Sequence, residues 1–277
     1  MQELPLIWRF HPLLIFTVLG LLWGYGRFWS RLKQNSETDL PNWRAVSFAS
    51  SLILLLVLTA SPLDWIGQKY LLTIRMLEMI ALIYVLPCLF WLGIPPEMVY
   101  ATVKRFRFVR YAGHLVGVSL CFNVLFLVLH IPVIYQAGLV NNWVHELQLA
   151  FVFVIGTLMW WPLLCSFLAA RLPLPRQMFY LVTLVFAQVP LFALLTFSHT
   201  VLYPSYVEAA RISPLDAYGD QQLAGWALKT ISSVIFAAAF IRIFLEWNRQ
   251  SRQQDFQDNI TAFENFELVK RAPVRKG

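Results

Sequence analysis

Seven apolar stretches, each about 20 residues long, run through this chain with only short polar connections between them. About 20 mainly apolar residues are what a helix needs to cross the hydrocarbon core of a bilayer. There the backbone finds no water, so its polar groups must be paired within the segment itself. The stretches are Leu13–Trp29, Val46–Leu63, Tyr70–Leu92, Ala112–Val133, Val144–Leu168, Met178–Phe197 and Ala224–Trp247. The first is the shortest, but Trp23, Tyr25, Phe28 and Trp29 give it the aromatic end that favours the membrane–water boundary. A chain that is 58% hydrophobic and only 13% charged also lacks the polar surface that a water-soluble domain needs. The fold class expected is therefore all-α, a polytopic membrane helix bundle of about seven transmembrane helices over residues 1–247, with a polar, basic tail over 248–277.

The net charge of +7 could suggest a nucleic-acid partner, but the basic residues fall in short clusters between apolar runs rather than along one soluble face. No nucleic acid is expected; the charges set topology. Arg31, Lys33 and Arg44 follow the first stretch, Lys104, Arg105, Arg107 and Arg110 the third, Arg171 and Arg176 the fifth, and Arg249 and Arg252 the seventh. The alternate connections carry only Arg9, Lys69 and Arg211. Because short cytoplasmic loops are enriched in Lys and Arg, the N-terminus is expected outside and the C-terminus in the cytoplasm. The tail, ending in Lys270, Arg271, Arg275 and Lys276, reads as a flexible segment near anionic lipid or a partner. Met1–Phe10 lacks a basic start and a small-residue cleavage site, so no cleaved signal peptide is expected. Cys88, Cys121 and Cys165 each lie alone in an apolar run, with no spacing for a disulfide framework or thiolate metal site.

On this topology His11, His130, His145 and His199 all fall at the outer ends of spans. Histidines at such positions ordinarily bond headgroups or loop backbone. His130 and His145 stand apart because they flank one short connection and could face each other across a helical hairpin, and neutral imidazole is a common copper or zinc ligand. The third stretch adds Arg75, Met76, Glu78 and Met79 close to its outer end. Charged groups at that depth normally face the bundle interior. Arg75 and Glu78, three residues apart on one helical face, could form an ion pair that locks packing, while Met76 and Met79 could offer soft thioethers to Cu(I). Methionines in a membrane helix more often serve simple packing. The outer segment Ser198–Leu223, with Tyr203, Tyr206, Glu208, Asp216 and Asp220, reads as a solvated lid or docking surface. Pro87, Pro162 and Pro190 predict kinks, and Arg242 and Glu246 predict anchoring at the inner end of the last span.

Several strings together resemble the multi-pass CtaG family of bacterial cytochrome c oxidase assembly proteins, distinct from the single-span copper chaperone that has shared the name. They are Asn123–Tyr135 (NVLFLVLHIPVIY), Trp143–Phe151 (WVHELQLAF), Trp160–Leu164 (WWPLL), Leu202–Tyr206 (LYPSY) and Ser213–Gly225 (SPLDAYGDQQLAG). The resemblance covers about Pro62 to Trp247 and implies a role in building haem-copper oxidases, including support for copper delivery. His130 matches the family pattern. Where the family usually has His-Met-x-x-His, this chain has Arg75, Met76 and Met79; where it tends to have His-x-x-Glu-His, this chain keeps His145 but places Gln148 and Leu149. Three of the five histidine positions so implied therefore carry other residues.

The expected function is an integral membrane assembly factor for a respiratory haem-copper oxidase, in a bacterial plasma or internal membrane, and not an enzyme. Its partners would be the lipid bilayer and cytochrome c oxidase subunits or another membrane complex. Copper would be held at the outer face by His130, His145, Met76, Met79 and His199, with Arg75, Glu78, Gln148 and Asp220 around them. The alternatives are a metal-free assembly scaffold and a small membrane transporter. Intramembrane charge confined to the span ends, with no acidic relay at mid-depth, weighs against the transporter.

Overall fold

The computed structural model describes residues 8–35, 40–105, 115–165 and 171–271, and every regular element among them is helical. The helices are α1 (Pro12–Asn35), α2 (Asn42–Ala60), α3 (Pro62–Lys69), α4 (Leu72–Ile80), α5 (Leu86–Gly93), α6 (Pro96–Arg105), α7 (Leu115–Leu129), α8 (Pro132–Val140), α9 (Asn142–Leu164), α10 (Leu174–Ala187), α11 (Val189–Phe197), α12 (Pro204–Glu208) and α13 (Ala217–Arg271). Six helical segments are long and apolar enough to cross a membrane, and a seventh appears when α7 and α8, bent by 61°, are taken as one span. Phe16, Trp23, Val133, Phe186 and Val234 are exposed on their outer faces, as a lipid-facing surface requires.

The prolines decide where the spans deviate from straight helices. Pro132 has no N–H and holds Ile131 in an extended conformation, so the fourth apolar stretch breaks at His130–Ile131 instead of running on to Val133. Its expected beginning, Ala112–His114, lies outside the described residues, as do Ser166–Leu168 at the end of the fifth stretch. In the third span the ladder widens over Ala81–Val85, where the Leu86 amide reaches back to the Ala81 carbonyl. Pro87 cannot bond the Ile83 carbonyl four residues before it; the Trp160 indole N–H does so instead, at 3.0 Å. A neighbouring helix thus repairs what the proline removes. Pro190 divides the sixth span at Gln188, between α10 and α11.

Two expectations are corrected at the chain's C-terminal side. The last helix begins at Ala217, seven residues before the expected span, and continues to Arg271 rather than giving way to a flexible tail after Trp247. Residues 248–271 contain no Gly or Pro, and Gln, Glu, Arg and Ala are good helix formers, so a helix already nucleated in the membrane propagates outward.

Lipid is as apolar as leucine, so close packing and interhelical hydrogen bonds hold these helices together more than transfer from water does. The packing is tight enough to exclude a single methyl group at key crossings. At Gly156 of α9 an added Cβ would lie 2.8 Å from the Ile83 Cα, and at Gly93 of α5 it would lie 2.5 Å from the Phe48 amide nitrogen. Hydroxyls tie α2 to the third span: Ser51 donates to the Leu86 carbonyl and Ser47 to the Leu89 carbonyl, both at 2.8 Å. α13 packs on α4, α10 and α11, and α9 packs on α5, α7 and α8. Together they bring the beginnings of α1, α4, α9 and α13 to one end of the bundle, beside α3 and α12.

Candidate functional site

At that end an ionic cluster is closed off from solvent. Its centre is Asp64, in the short α3 that follows the Ser61–Pro62 break, with no exposed surface. Ser61 is extended and Pro62 starts the helix, with Asp64 buried in its first turn. One Asp64 oxygen accepts from the Arg75 guanidinium at 3.2 Å and from Nε2 of His145 at 2.7 Å. The other lies 3.8 Å from Arg9 and 3.9 Å from Nε2 of His11. Arg75, itself 1% exposed, also donates to Glu78 at 2.6 Å, the i,i+3 pairing that their spacing predicts. Nδ1 of His11 stands 3.2 Å from Glu146, whose second oxygen accepts the Leu13 amide at 3.3 Å. Three carboxylates thus meet two guanidinium groups and two imidazoles in one enclosed network.

The surroundings make the network rigid. Arg9 stacks on Trp65 at 4.4 Å and bonds the Gln68 side chain, which in turn donates to the Gly138 carbonyl at 3.0 Å. Tyr206 donates to the Gly67 carbonyl at 2.6 Å. Burial pushes the Asp64 carboxyl above the usual carboxylate range, while the positive fields of Arg75, His11 and Arg9 oppose that rise. Burial likewise pulls Arg9 below the ordinary guanidinium value, the Asp64 charge opposing and the Arg75 charge assisting.

The residues singled out in the sequence fare differently. His145, Arg75 and Glu78 lie in the cluster. His130 is fully buried, but its Nδ1 bonds the Phe126 carbonyl at 2.7 Å and its ring packs on Phe126 and Tyr135. Among the described residues no hydrogen bond or ring contact joins it to His145, whose ring neighbour is His11, 6.0 Å away. Met76 and Met79 are buried in the apolar core. His199 is exposed at the end of α11. Gln148 clamps α9 to α8 by donating to the Ile134 carbonyl at 2.7 Å, against the bare Cα of Gly138.

Asp220 corrects the reading of the outer segment as solvated. It is buried in the first turn of α13 and accepts the amides of Leu72 at 2.6 Å and Thr73 at 3.2 Å, capping α4. Tyr203 is buried too, donating to the His130 carbonyl at 3.0 Å and stacking on Tyr135. Much of this segment is therefore internal structure rather than a lid. Sequence reasoning passed over Asp64, Arg9, Gln68 and Glu146, and it noted His11 without joining it to a site. The available signals were a lone acid directly after an apolar run and an acid beside His145 in the first turn of a span.

Among the described residues no three His, Cys, Asp or Glu side chains are placed to hold a metal ion. A resident copper centre built from His130, His145, Met76, Met79 and His199 does not fit, since these residues point to separate environments and Arg75 fills the polar centre with its own charge. The sequence profile of a family described as cytochrome c oxidase caa3 assembly factor (Caa3_CtaG) matches residues 23–250.

The chain belongs to that family.

No curated protein and no solved structure matches it. The family match takes in all of the cluster except Arg9, His11 and Leu13, so the part contributed by residues before and at the start of α1 stands outside the matched region.

Proposed function

We propose that this caa3 assembly factor family member is an integral membrane protein that holds a cytochrome c oxidase subunit while the subunit matures, in a non-catalytic role. The observation that carries this reading is the closed ionic cluster: Arg75 bridges Asp64 and Glu78 internally, so the end of the bundle is a preformed, rigid surface rather than an open reaction site. The basic connections support a cytoplasmic position for the other end, so the cluster end would face outward, where the metal-bearing parts of a maturing oxidase need support.

The test is deletion followed by complementation. Loss of the chain should reduce assembled haem-copper oxidase and its activity in membranes, and Arg75→Ala should restore less than the wild-type chain at equal protein level. Oxidase content unchanged by deletion would sink the proposal.

Copper handling is the second reading, favoured by one observation. The imidazoles of His11 and His145 are adjacent, and Nδ1 of His145 and Nε2 of His11 are buried without a hydrogen-bond partner. Copper would then be cargo, passed on rather than kept. Purified protein exposed anaerobically to Cu(I) should carry copper that His11→Ala with His145→Ala removes and His130→Ala leaves. Copper at background level in the wild type would leave the scaffold reading alone.

A further inference from the structure

The opposite end of the bundle contains a cavity of about 750 Å³ between the end of α9, the beginning of α10 and the middle of α13. Its walls differ sharply in character. Leu163, Leu164, Leu172 and Ile243 supply apolar lining, and Arg171, Arg242 and Glu246 supply charged lining. Two guanidinium groups against one carboxylate leave the charged lining net positive. Nε of Arg171 is buried with no hydrogen-bond partner. Burial, and then the like charge of Arg242, draw Arg171 below the ordinary guanidinium value, with Cys165 and Glu246 opposing; Arg171 and Arg242 line the same cavity.

Two further features point into the same space. α10 begins at Leu174 on the cavity wall with no side-chain cap and no acid in its first turn, so its positive end is unopposed. Gln177, 1% exposed, also lines the cavity. Its Nε2 donates to the Leu172 carbonyl at 2.5 Å, which fixes the amide orientation, and its Oε1 is left buried without a partner. An acceptor with nothing to accept from is costly when buried.

We propose that this cavity is a binding site for an anionic phospholipid whose headgroup carries hydroxyls, of the phosphatidylglycerol class. The phosphate diester sits between Arg171, Arg242 and the start of α10, a headgroup hydroxyl donates to Oε1 of Gln177, and an acyl chain lies along Leu163 and Ile243. Each part answers an unmet need of the protein. Charge-assisted bonds satisfy the two guanidiniums, the hydroxyl satisfies the glutamine, and the chain fills the apolar part of the cavity.

The protein is reconstituted into nanodiscs of equal phosphatidylglycerol and phosphatidylcholine, extracted gently, and the retained lipid is counted by native mass spectrometry. Phosphatidylglycerol should be retained about tenfold over phosphatidylcholine. Arg171→Gln with Arg242→Gln should abolish the preference, and Ala239→Phe, which fills the cavity wall while keeping both charges, should reduce retention of both lipids. Each variant is used only if it elutes as one species by size exclusion. Equal retention of the two lipids by the wild type, or a preference that survives the double variant, would overturn the proposal. So would displacement of the lipid by millimolar inorganic phosphate, which would mark a site for the free anion. A reduced preference in Gln177→Leu, which keeps both arginines, would support the hydroxyl contact.

Discussion

Arg75 stands where burial of a charge is costly and two carboxylates answer it. Its guanidinium is enclosed, and both of its carboxylate partners are enclosed with it. Replacing it by alanine leaves Asp64 and Glu78 facing one another without their shared cation, and breaking a buried pair in this way costs about 3–5 kcal/mol. Unfolding of the detergent-solubilised Arg75→Ala protein should show that loss; a change below about 1 kcal/mol would mean that water reaches the cluster. Asp64 makes the network sensitive to pH. Because burial raises its pKa in the folded chain, the folded state retains a proton that the unfolded state releases above about pH 4. The unfolded chain binds fewer protons in that window, so stability falls as pH rises through it. Asp64→Asn should flatten this part of the profile when thermal midpoints are compared across a pH series. Arg75 and Glu78 were legible as a pair because helical spacing alone joins them. Asp64 was not, since an acid after an apolar run looks like a solvated connector until α3 folds inward.

At the scale of elements, the breaks matter as much as the helices. The seven apolar stretches were readable because the bilayer fixes their length, and the proline positions foretold where they bend. What sequence could not supply was the partner that repairs each bend, such as Trp160 for the Ile83 carbonyl, because that requires knowing which helices are neighbours. The start of α4 shows the same limit. Its amides are capped by Asp220 from α13, almost 150 residues away, so no local signal marks the cap. Asp220→Ala should destabilise the protein by about 1 kcal/mol, the usual worth of a cap, and raise amide exchange at Leu72 and Thr73 ahead of the rest of α4. Exchange unchanged at those two amides would show that another group replaces the carboxylate. His130 and His145 illustrate the converse: adjacency along a hairpin suggested a shared site, but the α7–α8 bend sends the first toward Tyr135 and α9 sends the second toward Asp64.

Across the whole molecule the two ends differ in kind, one a closed network of acids, bases and histidines, the other a basic, open cavity. If the basic end is cytoplasmic, green fluorescent protein joined to the C-terminus should fluoresce and alkaline phosphatase at the same point should be inactive; the reverse pattern would invert the topology. α13 connects these two ends without a break. Its 55 residues at 1.5 Å each make a rod of about 80 Å, more than twice the thickness of the hydrocarbon core. One tip of that rod is pinned by Asp220 to the wall of the ionic network, and the other stands well clear of the lipid. A pivot of only about 5° at the pinned tip would sweep the free tip through roughly 7 Å, so a subunit settling against one face of the membrane would be felt on the other as a displacement wider than a helical turn.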